Sequence, residues 1–314
     1  LTGKPLFRED TLEMTADRFV VERAAGNMLA SGAVQTTVRS SNHASAGGLL
    51  SGSQAMHVIA RQVQVLHESQ TAIFTGQARL WQGPDSVEAP VIELSQKMQT
   101  LRAYGRESCK QCVHTTFLGQ SALGQFADPA QAGKPKATKN EGLSEDDGGR
   151  GPSSYRVLSQ RLLYSDAERK ATFSDRVEAI SSSGDIRADH VEVFLTPATS
   201  RSQAKPGNGT SQITNKIPSH SNDSAQSSVE RIVATGHVTV EQPGRHGTGT
   251  QLVYTASDGK FVLTGNGAHL PQVVDSIQGT VTGEVLTFSS QTQAIIVRGS
   301  SNTTAVTKTR VQKK

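Results

Sequence analysis

Apolar and polar residues alternate with a period of two through long stretches of this chain, and helical spacing of apolar residues is scarce. In Thr71–Trp81, residues Ala72, Phe74, Gly76, Ala78 and Leu80 fall on one face, and Ile73, Thr75, Gln77 and Arg79 on the other. In Arg231–Gln242, residues Ile232, Ala234, Gly236, Val238 and Val240 alternate with Val233, Thr235, His237, Thr239 and Glu241. Successive strand residues point to opposite sides of a sheet, so this alternation predicts half-buried strands. The abundance of Val, Thr, Ser and Gln suits long strands with one wet face.

Two stretches break the pattern, at 119–154 and 197–228, where Gly, Pro, Ser, Asn and charge dominate. They hold too little apolar surface to offset the entropy of ordering, and are expected to be disordered polar linkers. They leave a β block at 1–118, a short one at 155–196, and a third at 229–314 that ends in a basic tail.

The strands repeat. Residues 75–105 align without a gap on 235–265, placing Thr75-Gly76 over Thr235-Gly236, Leu80 over Val240, Ile92-Glu93-Leu94 over Leu252-Val253-Tyr254, and Gly105 over Gly265. Turn residues match as well, with Gly83-Pro84-Asp85 over Pro243-Gly244. The small-Gly-x-small step recurs at Ser31-Gly32-Ala33-Val34 and Thr264-Gly265-Asn266-Gly267, and Ser174-Asp175-Arg176-Val177 keeps it with Asp for Gly. A unit of about 30 residues cannot bury its apolar face alone, so stacked units should share one extended interior. A glycine inside a strand marks a bend or a close backbone approach. Repeated at one position, it should fold the sheet along a line into a trough, apolar inside and polar outside.

The low hydrophobic content, 35%, and aromatic content, 4%, agree with an elongated sheet rather than one dense core. The net charge of +4 is too small and too dispersed to predict nucleic-acid binding. No stretch approaches the roughly 18 apolar residues of a spanning helix. The chain opens on LTGKPLFRED, which lacks the apolar core of a signal peptide, so it is expected to be a mature product or a fragment. Cys109 and Cys112 form a lone CKQC: a local disulfide if a tight turn brings them together, free thiols, or metal or redox chemistry.

Motifs for nucleophilic, metal-dependent or phosphate-binding chemistry are missing, so neither an enzyme, a cofactor nor a metal is expected. Asp189-His190 are neighbours, but adjacent strand residues face opposite sides. His237 sits with Thr235 and Thr239 on the wet face.

Three runs carry a resemblance: ERIVATGHVTVEQ, GTGTQLVYTASDGKFVLTGNGAHL and GTVTGEVLTFSSQTQAIIVRGS. This ordered series resembles the OstA-like domain shared by LptA, LptC and the N-terminal part of LptD. Residues 229–299 match it best, 12–118 more loosely, with TADRFVVERAAGNMLASGAVQ as another copy, and 155–196 more faintly. The resemblance implies an all-β, elongated antiparallel β-jellyroll (β-taco) of stacked OstA-like repeats, here with long disordered insertions. It also implies a periplasmic role in lipopolysaccharide, or related glycolipid, transport between inner and outer membrane, acyl chains lying in the groove. On the alternation, the groove would be lined by Phe74, Ala78, Leu80, Ile92, Leu94, Ile232, Val238, Val240, Leu252, Tyr254, Phe261, Leu263, Ile295 and Val297. A solid structural or adhesive β-scaffold without lipid is the competing expectation. The C-terminal strand, about 293–299, holds no Pro and a single charge. It is expected to pair edge to edge with another OstA-like domain, through self-association or assembly into a bridge.

Overall fold

The computed structural model describes residues 3, 5–39, 54–106, 112–119, 153–181, 184–196, 229–276, 279–289, 295–299 and 306–308. Apart from strand ends at 119, 153 and 154, the expected linkers 119–154 and 197–228 lie outside the described residues. In chain order the strands are β1 (Leu6–Glu9), β2 (Leu12–Thr15), β3 (Arg18–Glu22), β4 (Asn27–Val38), β5 (Met56–Leu66), β6 (Thr71–Gln82), β7 (Asp85–Ser95), β8 (Thr100–Tyr104), β9 (Val113–Gly119) and β10 (Ser153–Ser159). They continue with β11 (Arg161–Ser165), β12 (Lys170–Ser181), β13 (Gly184–Leu195), β14 (Val229–Gln242), β15 (Arg245–Thr255), β16 (Lys260–Thr264), β17 (Gln272–Asp275), β18 (Gly279–Thr282), β19 (Val285–Ser289), β20 (Ile295–Arg298) and β21 (Val306–Lys308). The fold is all-β and antiparallel, without a helix among the described residues.

One sheet is folded into two layers. The long strands β4–β7 and β12–β15 each run through both, while each short strand belongs to one. Thus β7 pairs β8 through Val91–Ser95 and β9 through Ser86–Glu88. Likewise β12 pairs β11 through Lys170–Ser174 and β10 through Glu178–Ile180. The first layer begins at β3 and ends at β20; the second begins at β1 and ends at β21. The three sequence blocks join in this one sheet, since β8 pairs β11, β9 pairs β10 and β13 pairs β14.

The fold line is built from the repeated glycine step. In β4, β6, β12 and β14 two successive residues take positive φ: Gly32-Ala33, Gly76-Gln77, Asp175-Arg176 and Gly236-His237. Each pair opposes a single partner residue, Pro90 in the case of Gly76-Gln77, which is the two-against-one geometry of a β-bulge. The lost ladder bond makes this one of the few in-sheet places where Pro fits. Close approach adds a second demand: a Cβ at Gly32 would overlap the Asp17 carboxylate, and one at Gly236 that of Asp189. Asp175 takes the first bulge position at φ 65°, a left-handed conformation Asp tolerates better than most residues. The expected echo at Thr264-Gly265-Asn266-Gly267 is different. There β16 ends, and Asn266 bridges His269 in a loop that carries the chain to the second layer.

Candidate functional site

Between the layers the paired strands align their inward residues into ladders that run the length of the sheet. In the first layer one ladder passes from Phe19 through Ala30, Val63, Phe74 and Ile92 to Leu252, Leu263, Leu286 and Val297. A second, nearer the open lip, passes through Val65, Ala72, Leu94 and Leu101 to Tyr254, Phe261, Phe288 and Ile295. Their second-layer counterpart runs Met14, Thr36, Val58, Leu80, Val87, Thr115 and onward to Val240. Most of these side chains are buried and belong to one continuous apolar core.

All fourteen residues singled out from the sequence face this interior. Phe74, Ala78, Leu80, Ile92, Ile232, Val238, Val240, Leu252, Tyr254, Phe261 and Leu263 are buried, and Leu94, Ile295 and Val297 are half-buried against them. In the bulged strands the same parity points inward on both sides of the crease, whereas in the facing strands it switches, as in β7 from Val87 and Ala89 to Ile92 and Leu94. Sequence reasoning passed over equivalent positions. The residue two before each bulge (Ala30, Phe74, Phe173, Ala234) lies on the first ladder, and the residue four after its start (Thr36, Leu80, Ala179, Val240) on the second-layer ladder. Counting from the step itself would have found Phe173 and Thr36.

The interior is unevenly filled. Toward the N-terminal end the layers enclose a cavity of about 720 Å³ that opens at the lip. Its walls include Val65, Ala72, Phe74, Leu94 and Leu101 from the first layer and Leu12, Met14, Thr36, Val38 and Met56 from the second. Small side chains such as Ala72 leave this space. Toward the C-terminal end the same positions carry rings: Tyr254 and Phe261 lie 4.6 Å apart, and Phe261 stacks on Phe288 at 5.1 Å. From the facing layer, Tyr155 stacks on Phe117 at 5.4 Å. Burial, and after it neighbouring Tyr155 and Asp258, push the Tyr254 phenol up to about 12.

Charges keep to the outside and the lip. Arg79 pairs Glu88 on the wet face. At the C-terminal lip Arg245 donates to Asp275 Oδ2 from Nε at 3.2 Å and Nη2 at 3.0 Å. Asp189 does not engage adjacent His190; its carboxylate lies 2.7 Å from His237 Nδ1 on the crease, where the His237 side chain is 92% exposed. His190 Nδ1 lies 3.0 Å from Ser174 Oγ. Among the described residues no cluster of His, Cys, Asp or Glu could hold a metal ion. Cys112 is buried, and Cys109 lies outside the described residues.

Residues 156–294 match the family model described as LptA/(LptD N-terminal domain) LPS transport protein. This segment is an OstA-like domain of that family. Among solved structures, the chain resembles LptH, titled the LptA homologous periplasmic component of the conserved lipopolysaccharide transport device from Pseudomonas aeruginosa. The two share 15% identity with a TM-score of 0.33, over 49% of this chain and 94% of that one. The search of curated proteins finds no match. The OstA-like segment contains Tyr254, Phe261 and Phe288. The open cavity is walled mainly by residues preceding the segment, with Tyr164 and Asp166 contributed from within it.

Proposed function

We propose that this chain carries lipopolysaccharide, or a related glycolipid, through the periplasm as one component of a bridge between inner and outer membrane. The observation that carries this reading is the creased trough, whose ladders are apolar apart from a few positions such as Thr36 and Thr115 and part at the lip into a cavity. At about 720 Å³ it falls within the roughly 300–1,000 Å³ of typical ligand sites. Acyl chains gain about 0.8 kcal/mol per buried methylene, so an apolar slot with a polar exterior suits the tails of an amphiphile. The headgroup would stay outside the lip. Phe74 and Leu94 are the expected acyl contacts in the cavity, and the other twelve residues named above continue the same wall.

The same creased unit recurs before the matched segment, in β4 and β6, so the N-terminal half is proposed to work as a further OstA-like unit. No catalytic role, cofactor or metal is proposed. A photo-crosslinking residue at Leu94 or Met56 should capture lipopolysaccharide in a Gram-negative host, and one at Arg79 or Thr239, on the outer face, should not. Equal capture at both sets would refute the assignment. A ligand-free scaffold is the second reading, favoured by the close packing of Leu252, Phe261, Leu263 and Leu286, each no more than 1% exposed. Native mass spectrometry separates the two, since a scaffold emerges without glycolipid.

A further inference from the structure

On the cavity wall, Thr36 carries a hydroxyl whose chemistry is unfinished. Thr36 is 3% exposed, and its Oγ1 has no hydrogen-bond partner. Several of its polar neighbours on the wall have a partner for at least one side-chain polar atom. Thr71 donates to the Ser69 carbonyl at 3.2 Å, Ser95 accepts from the Met98 amide at 3.3 Å, Gln82 donates to the Gln54 carbonyl at 2.6 Å, and Tyr164 donates to Asp166 at 2.9 Å. The repeat sharpens the contrast. Thr36 occupies the position that holds Leu80, Ala179 and Val240 in the units built on Gly76, Asp175 and Gly236. An apolar residue is what that position takes elsewhere, and Val has nearly the shape of Thr.

A buried hydroxyl without a partner is destabilising, and sites that keep one usually have an unseen partner or a functional use. We infer that Thr36 is a specificity residue: it recognises an oxygen carried on the acyl chain, a hydroxyl or an ester carbonyl, and so favours oxygen-bearing chains over plain hydrocarbon. The hydroxyl is shielded from solvent, and one staggered step of χ1 exchanges it with the methyl beside it. Thr36 lies two residues below Val38 of the lip. At about 3.3 Å per strand residue, its hydroxyl meets the chain roughly 7 Å inside the mouth. That depth suits an oxygen a few carbons from the headgroup.

This inference rests on the acyl-binding reading, and the experiment separates the two. Binding of tetradecanoate and 3-hydroxytetradecanoate to the full chain is measured by displacement of a fluorescent fatty acid, for wild type, Thr36→Val, Thr36→Ser and Thr115→Val. Thr115 is the control: its Oγ1 is also buried and without a partner, on the same ladder but away from this cavity wall. Thr36→Val should weaken the hydroxylated chain about 3- to 10-fold, the worth of one neutral hydrogen bond, and leave the plain chain within twofold. Thr36→Ser should keep the preference, and Thr115→Val should not change it. If Thr36→Val shifts both chains equally, or neither, Thr36 does not read an oxygen and the inference falls while acyl binding stands. If wild type binds neither chain, the acyl-binding reading fails first and takes the inference with it.

Discussion

At the scale of single residues, the crease explains the glycines. Gly236 combines φ 76° with the Asp189 carboxylate against its α-carbon. Gly236→Ala should therefore destabilise the protein by about 1–3 kcal/mol in urea unfolding, from left-handed strain and overlap together. Adding Asp189→Gly should recover the overlap share and leave the strain, a coupling that a double-mutant cycle reads directly. Tyr254 supplies a pH test. Its phenol titrates near 12 when folded, against 10.0 ordinarily, so the folded state holds the proton more tightly than the unfolded one. The associated stability is fully present below pH 10 and is lost as pH rises through about 12. Thermal unfolding should show a loss on the order of 2 kcal/mol across that window, absent in Tyr254→Phe.

At the scale of elements, the ladder positions decide where the interior is full. β6 and β7 place Ala72 and Leu94 where β15, β16 and β19 place Tyr254, Phe261 and Phe288. The aromatic run closes the space that the smaller residues leave open. Phe261→Ala should cost about 3–5 kcal/mol, as large-to-small changes in a packed core do. If lipid uses the trough, it should also bring capture by a photo-crosslinker at Ile232, a site blocked in the wild type. Much of this was legible in the sequence: alternation set the inward parity of the bulged strands, and the Gly-x step set the crease in β4, β6 and β14. Asp175 was legible as its substitute. The parity switch in the facing strands, from Val87 and Ala89 to Ile92 and Leu94 in β7, was not. The volume left between facing layers was not legible, because it depends on which ladders meet across the interior rather than on any one strand.

At the scale of the molecule, the two-layer sheet ends in strands unpaired on their outer sides among the described residues: β1 and β3 at one end, β20 and β21 at the other. Ile296 is 59% exposed and Val21 56%, so apolar side chains accompany the open edges. An inward charge is a known block to edge pairing. Val297→Lys, at the last rung of the first ladder, should reduce self-association or partner capture at least tenfold in sedimentation while leaving the circular dichroism unchanged. Association that survives this change would place the joint elsewhere. Within the basic tail, Val306–Lys308 forms β21 against β18. Three residues are too few for alternation to reveal, and only the neighbouring strand selects them.

What the sequence by itself determined is local and periodic. Side-chain alternation, the glycine step and the turn residues are near-neighbour properties, and they suffice for an all-β, creased, repeat-built chain with the inward faces of its bulged strands assigned. The tertiary structure decided what depends on residues far apart in the chain. It joined the three blocks into one sheet across two long insertions, and turned Asp189 to His237 rather than to its neighbour His190. It filled one end of the trough with rings and left a cavity at the other. It placed a hydroxyl without a partner on that cavity's wall. Those outcomes follow from strand register and from the distance between layers, which long-range pairing sets and local pattern does not.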